Sequence, residues 1–262
     1  MNQKTAVVTG ALGLLGKKHC EALAAAGANV IVADIDAKAT EIFAQQLGGN
    51  HTGIGLDVTN KQSLIQALNI VLNKYDSLDI LVNNAAINDK FENPAMAKEL
   101  SAFENYPLEA FQQSLNVNVT GVFLCSQIMG THMALQGSGS IINIASTYGM
   151  VGPDQNIYKN AKGEQIFYKS AAYPVTKGAI INFTRFLAAY WGNTGVRVNT
   201  LSPGGVMNGQ NEDFIANYSA KTLLGRMAKA SDYQGALVFL ASEASAYMTG
   251  ANLVVDGGWT AI

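Results

Sequence analysis

Thr5-Ala-Val-Val-Thr-Gly-Ala-Leu-Gly-Leu-Leu-Gly16 decides the fold. A short β-branched run gives way to glycines at 10, 13 and 16, and apolar residues then recur at helical spacing from Leu14 to about Ala26. The order is strand, turn, helix. At such a junction a glycine lets backbone approach a diphosphate, and the amino end of the helix supplies unpaired N–H groups. A tightly packed turn with no ligand would use the same glycines. What separates the two readings is Asp34, which ends the second apolar run, Asn29-Val-Ile-Val-Ala-Asp34. A carboxylate there can accept hydrogen bonds from the ribose hydroxyls of a dinucleotide. Its other reading is a cap for the next helix, a task that Asp36 and Thr40 could share.

The alternation continues with a helix near 37–47, a strand ending at Asp57, a helix near 60–75 and a strand at Leu78–Val82. Later strands are read at Ser140–Ala145, Val196–Leu201 and Asn252–Asp256, with long helical patterns near 108–135 and 171–191. Continuous apolar strands between amphipathic helices describe a parallel sheet covered on both faces. The expectation is an α/β, doubly wound, Rossmann-type sheet of seven strands in a single domain over 1–262. Two stretches break the rhythm and are expected as loops or lids at the carboxyl edge: 147–170, polar and lysine-bearing, and 204–225, glycine-rich and then weakly helical.

Composition narrows the function classes. Apolar residues make up 48% and charged ones 14%, enough for a large core and too little charge for disorder. A net charge of −2 without a basic run disfavours nucleic acid and anionic membrane as partners. The start lacks a long apolar leader and no apolar stretch reaches membrane-spanning length, so a cytoplasmic protein is expected. Cys20 and Cys125 read as buried thiols, while His19, His51 and His132 show no metal spacing and suit surface or helix-end packing. No metal is expected.

Tyr173 and Lys177 stand four apart at the head of a strongly helical segment, which puts both on one face a turn from each other. A phenol titrates near 10, so a tyrosine base at neutrality needs about 4 kcal/mol of help. One ammonium about 4 Å away supplies roughly that at an effective dielectric near 20, and only about 1 kcal/mol in bulk water. The pair therefore works only in a dry site. Tyr158 and Lys162 repeat the spacing, but no sustained apolar face surrounds them. Ser146 ends a strand at the crevice edge, where its hydroxyl could donate to a substrate carbonyl or merely close a turn. Asp57 could meet an adenine edge or cap the following helix. A 2′-phosphate beside Asp34 would meet like charge with no neighbouring arginine, so NAD is expected over NADP.

Taken together these motifs resemble the short-chain dehydrogenase/reductase family, from Lys4 to about Thr260. The glycine turn resembles Thr9–Gly16, and the adenine-side pair resembles Asp57-Val58. The central structural stretch is similar to Leu81-Val-Asn-Asn-Ala-Ala86. The active-site tetrad resembles Asn118, Ser146, Tyr173 and Lys177. Val196–Gly204 is similar to the strand and turn that contact nicotinamide, and Thr249–Trp259 to the closing strand. The resemblance implies an oxidoreductase that moves a hydride between a secondary alcohol or ketone and nicotinamide C4. Tyr173 then exchanges the proton, Lys177 lowers its pKa and holds the ribose, Ser146 orients the substrate oxygen, and Asn118 secures a relay water. Implied cofactor contacts are Gly10, Gly13, Leu15, Gly16, Asp34, Ile35, Asp57, Val58, Asn84, Ala85, Tyr173, Lys177, Pro203, Gly204 and Val206. A homodimer or homotetramer built through the helices near 108–135 and 171–191 is implied as well.

The chain departs from the family pattern at four places. Leu14 fills the usual position of the middle glycine, Ala86 replaces a glycine, and Asn208 stands where a threonine often contacts the nicotinamide amide. The interval from Ser146 to Tyr173 is about twice the usual one, which makes 147–170 an insertion beside the site. Its Tyr158, Lys159, Asn160, Lys162 and Glu164 suit a polyhydroxylated or phosphorylated ligand such as a sugar derivative, or else a solvated loop or subunit contact. The glycine spacing also keeps open an epimerase or dehydratase that uses NAD transiently. A third class is a sensor or scaffold that binds NAD without turnover.

Overall fold

The computed structural model describes residues 1–88 and 94–262. Strands β1 (Thr5–Thr9), β2 (Asn29–Asp34), β3 (Thr52–Gly55), β4 (Ile80–Asn83), β5 (Gly139–Ile144), β6 (Val196–Pro203) and β7 (Asn252–Val255) form one sheet. All pair in parallel, in the order β3-β2-β1-β4-β5-β6-β7. Alternate residues of each strand feed opposite cores, as a period of two requires. Ala6 and Val8 join Val30, Val32, Ile80 and Ile142 on one face, whereas Val7 joins Ile31, Leu81, Ile141 and Val198 on the other.

Helices α1 (Leu14–Ala25), α2 (Ala37–Leu47) and α10 (Gln234–Ala241) cover the first face with Leu23, Ala44, Leu237 and Leu240. The second face is covered by α3 (Lys61–Tyr75), by the helical run 108–136 and by α8 (Ala172–Trp191), through Leu64, Val71, Met129, Met133 and Trp191. That run is not the single regular helix its apolar spacing predicts. It consists of α5 (Leu108–Leu115), α6 (Gly121–Cys125) and α7 (Thr131–Gln136), joined by π-helical turns at Asn116–Thr120 and Ser126–Gly130. Asn118 lies in the first wide turn, the kind of local irregularity that recurs at functional sites.

Other boundaries shift for identifiable reasons. β3 stops at Gly55 because Asp57 folds back on itself, its Oδ1 accepting from the Thr59 N–H at 2.9 Å and the Thr59 hydroxyl at 2.7 Å. Helices α4 (Pro94–Ser101) and α10 carried no motif and escape the periodicity reading. Among the described residues, no helix is long and apolar enough to cross a membrane.

The insertion at 147–170 is ordered rather than a plain loop. It forms 3₁₀ turns at Thr147–Gly149 and Gln155–Tyr158 and an antiparallel bridge between Lys159 and Gln165. Its buried Ile157 packs with Tyr218 and Met227, which brings it against α9 (Glu212–Ser219) inside the 204–225 stretch. Asn217 donates to the Ile157 and Lys159 carbonyls at 3.3 and 3.1 Å, and Lys221 pairs with Asp154 at 2.7 Å. The two stretches thus make one clasp.

Cys20 and Cys125 are buried thiols. His19, expected at a surface or helix end, is instead fully buried in α1, and neither ring nitrogen has a hydrogen-bond partner among the described residues. Burial lowers its pKa to about 4. Because the unfolded chain takes up this proton near 6.5 and the folded one only near 4, stability falls as pH drops through that interval. His19→Leu is expected to remove about 3 kcal/mol of the stability lost between pH 7 and 4. Urea denaturation at stepped pH measures it, and equal pH dependence in both proteins would refute it.

Candidate active site

Strands β1 and β4 are neighbours while β2 and β3 lie beyond β1, so the winding reverses between them and a crevice opens past their carboxyl ends. The glycine turn sits there. Gly10 has φ of +62°, and a Cβ on it would lie 2.6 Å from Ala85 Cα. A Cβ on Gly16 would lie 2.2 Å from the Gly10 carbonyl oxygen. Both positions therefore exclude a side chain. Gly13 precedes α1 without any side-chain cap, which leaves the first-turn N–H groups of the helix without a side-chain acceptor.

Gly10, Gly13, Leu15, Asp34, Ile35, Val58, Asn84 and Ala85 line one cleft of about 350 Å³, together with Leu14, Ala86, Ile87 and Val117. Capping of α2 falls to Asp36, which accepts from Ala39 N–H at 2.9 Å. Asp34 instead accepts from the Leu12 and Ile35 N–H groups at 2.9 and 2.8 Å, tying the glycine turn to β2. Asn84 donates to the Thr9 and Gly10 carbonyls at 3.0 and 2.9 Å, which fixes the turn against β4. Asp57 is exposed and lies outside the cleft lining, and α3 is capped by Asn60. Gly16 supports the turn from beneath. Pro203 ends β6, Gly204 lines a separate cavity of about 260 Å³, and Val206 bridges to Ala228, so these three follow the exit of β6 rather than the main cleft. Asn208 is exposed, its N–H bonded to Gln210 Oε1 at 2.6 Å.

Helix α8 starts at Ala172 and tolerates Pro174 in its first turn, where the missing N–H costs no helical bond. Tyr173 and Lys177 follow each other along one face, with Nζ 5.7 Å from the ring centroid. The Lys177 ammonium is buried and donates to the Ile144 carbonyl at 2.7 Å. Two residues beyond Ile144, Ser146 accepts from Tyr148 N–H at 3.2 Å, and its side chain lies close enough to the Tyr173 phenol to lower that group's pKa. Asn118 Oδ1 accepts from Ile87 N–H at 2.8 Å, while its Nδ2 donates to the Ile87 carbonyl at 2.9 Å and to Thr176 Oγ1 at 3.2 Å. The end of the cleft is thereby stitched to α8.

A buried polar chain holds the same helix to the sheet. Asn83 donates to Asn143 at 2.8 Å, Asn143 to Thr184 at 2.9 Å, and Thr200 to Thr184 at 2.8 Å, linking β4, β5 and β6 to α8. Electrostatics in the protein alone differ from the sequence expectation. Burial pushes the Tyr173 phenol up, opposed by the neighbouring Ser146 side chain. Lys177 itself is lowered to about 8, first by burial and then by the charge of Lys169. Tyr158 packs its ring on Phe167 and Phe214, with centroids 5.5 and 5.2 Å away, while Lys162 is exposed in a turn.

Sequence reasoning missed Lys169, whose Nζ lies 4.2 Å from the Tyr173 ring centroid. It also missed Tyr148, whose hydroxyl is 3.5 Å from that of Tyr158. Both sit in the insertion, where no periodicity marks which side chains turn inward.

The family model described as short chain dehydrogenase matches residues 4–219. The chain belongs to the short-chain dehydrogenase/reductase family. Its relatives include a D-threitol dehydrogenase from Mycolicibacterium smegmatis, 35% identical over 99% of this chain and 94% of that protein. A cis-4-hydroxycyclohexanecarboxylate dehydrogenase from Sinomonas cyclohexanicum is 30% identical over 99% of this chain and 98% of its own length. Among solved structures, a gluconate 5-dehydrogenase from Burkholderia cenocepacia J2315, in complex with NADP and tartrate, superposes with a TM-score of 0.87. It is 26% identical, over 100% of this chain and 97% of that one. This dehydrogenase is therefore an oxidoreductase of alcohols and ketones, served by a nicotinamide cofactor.

Replacing Asn118 by alanine removes its hydrogen bonds to Ile87 and Thr176 and leaves the half-buried Ile87 N–H and carbonyl without that partner. A loss of about 1–3 kcal/mol is expected in urea denaturation. A loss under about 0.5 kcal/mol would show that these bonds do not hold the segment.

Proposed function

We propose that the protein is an NAD-dependent dehydrogenase that moves a hydride between a secondary alcohol or its ketone and nicotinamide, with Tyr173 as the acid–base group. One arrangement carries this reading: Ser146 beside the Tyr173 phenol and the buried Lys177 ammonium stand where Asn118 joins α8 to a cleft headed by an uncapped helix. The donor set fits a dinucleotide. Gly10, Gly13 and Leu15 with the α1 amino end would hold the diphosphate, and Asp34 and Ile35 the adenosine ribose. Val58, Asn84 and Ala85 would flank the cofactor, with Asp57 shaping the turn ahead of Val58 and Gly16 keeping the loop close. Tyr173, Lys177, Pro203, Gly204 and Val206 would surround the nicotinamide end. When bound, the cofactor supplies the hydride acceptor and, oxidised, a positive charge that favours the ionised phenol.

In alcohol oxidation Tyr173 takes the proton of the substrate hydroxyl, and in ketone reduction it returns it. Ser146 donates to the substrate oxygen and orients it. Lys177, fixed on the Ile144 carbonyl, keeps a cation one turn from the phenol. The names of the two dehydrogenase relatives point to polar alcohols, which suits a polar secondary alcohol here. An aromatic ladder along α6 and α8, in which Phe123, Phe186 and Tyr190 are exposed and Phe183 is half-buried, supports a homodimer or homotetramer.

Two measurements test this reading. Tyr173→Phe is expected to lower kcat by about 100-fold or more across a panel of secondary alcohols, and Tyr158→Phe by far less. The reverse ranking would overturn the assignment of the base. Separately, kcat/KM for NAD is expected to exceed that for NADP by about 10–100-fold, because a 2′-phosphate meets the Asp34 carboxylate. Asp34→Asn should narrow that ratio about tenfold. Equal use of both cofactors by the unaltered protein would refute the preference.

A further inference from the structure

The turn that follows Ser146 brings a second phenol to the same region. Ser146 Oγ accepts from Tyr148 N–H at 3.2 Å, and the turn Thr147–Gly149 lies flat on α8, since a Cβ on Gly149 would stand 2.7 Å from the Lys177 carbonyl carbon and oxygen. Tyr148 thus leaves the backbone where the strand end bearing Ser146 meets the helix bearing Tyr173 and Lys177. Tyr158 meets it from the clasp. The two hydroxyls are 3.5 Å apart, and the Tyr158 ring rests on Phe214, which in turn packs on Tyr218 with centroids 5.9 Å apart. Both phenols are half-buried, burial pushes both up, and each also feels the charge of Tyr173.

The contact between these hydroxyls is stretched. Such O–H···O bonds centre near about 2.7–2.8 Å, and among the described residues neither hydroxyl has another partner. Neighbouring phenols are better served: Tyr218 accepts from Gly205 N–H, and Tyr233 donates to the Gly204 carbonyl at 3.1 Å. A phenol offers one hydrogen and accepts through its lone pairs. One hydrogen is spent between Tyr148 and Tyr158, which leaves the pair with one donor and open acceptor sites. That combination complements a neutral hydroxyl, which both accepts and donates, whereas a carboxylate brings no hydrogen for the acceptor sites.

Resting on the reading of Tyr173 as the acid–base group, we propose that Tyr148 and Tyr158 are specificity-determining residues whose paired hydroxyls bind a second hydroxyl of the substrate, beside the carbinol that reacts. The substrates are then neutral diols or polyols and the matching hydroxyketones. The reacting hydroxyl meets Ser146 and Tyr173, while the second hydroxyl enters the stretched gap and replaces one long contact by two bonds of ordinary length. A mono-alcohol leaves the gap unfilled, so the preference comes from phenols left poorly paired as well as from the bonds gained.

Calorimetric binding of cis-1,2-cyclohexanediol and of cyclohexanol to the NADH-loaded protein tests the pair without turnover, because reduced nicotinamide accepts no hydride from an alcohol. The unaltered protein is expected to bind the diol about 10–100-fold more tightly than the mono-alcohol. Tyr148→Phe and Tyr158→Phe keep the rings and remove the hydroxyls, and each should cut that ratio about five- to tenfold. A variant that weakens both probes alike and leaves the ratio intact would mark the residue as structural and overturn the proposal. Equal binding of the two probes by the unaltered protein, or binding of neither, overturns it as well. Tighter binding of cis-2-hydroxycyclohexanecarboxylate than of the diol, brought to parity in the two variants, would assign the pair to a carboxylate and overturn the diol reading. Absence of NAD reduction with every alcohol, alongside an intact diol preference, would defeat the function proposed above and leave the pair standing.

Discussion

The Lys177 ammonium rests on the carbonyl of Ile144, the last residue of β5, and much of the site is arranged around that bond. A buried cation needs an acceptor, and the carbonyl at the carboxyl end of β5 provides one. Tyr173 then stands one helical turn before Lys177, and Ser146 stands two residues after Ile144, so one strand end and one helix start bring Ser146 near enough to the phenol to lower its pKa. Thr184, further along α8, repeats the strategy by accepting from both Asn143 and Thr200. The helix is thus pinned to β5 and β6 by polar bonds in an otherwise apolar core, which fixes its register where an apolar contact alone would permit sliding.

Burial has a cost that runs through the site. It pushes the Tyr173 phenol up and brings Lys177 down to about 8, so both groups are driven toward neutrality when the protein is considered alone. Lys169 adds to the pressure on Lys177. Such a site favours arrivals that add opposite charge or stabilise the phenolate, and this is the physical ground for reading the surrounding cavities as ligand pockets rather than packing defects.

The clasp explains why the chain carries a long insertion. Residues 147–170 cannot bury enough surface alone, yet Ile157 with Tyr218 and Met227 forms a small core shared with the stretch after β6. The bonds from Asn217 and the Lys221–Asp154 pair close its rim. Two segments distant in sequence thereby become one wall beside Tyr173.

The strands, the glycine turn, Asp34 and the Tyr173–Lys177 pair were legible in the sequence because each is governed by local rules: period-two burial, helical spacing, and the intolerance of a tight turn for side chains. Gly10 and Gly16 show this well, since backbone alone fits where they stand. The π-helical turn around Asn118, the buried His19 and the inward turn of Lys169 were not legible. Each depends on what the rest of the chain places opposite: Ile87 and Thr176 for Asn118, Gln155 and Asn88 for Lys169. The sequence by itself determined a doubly wound dehydrogenase sheet and the one-turn spacing of Tyr173 and Lys177, because those follow from periodicity and from short-range backbone geometry. Only the tertiary structure decided which polar side chains of the insertion face the phenol, because a segment without a sustained apolar face takes its orientation from the partners it packs against.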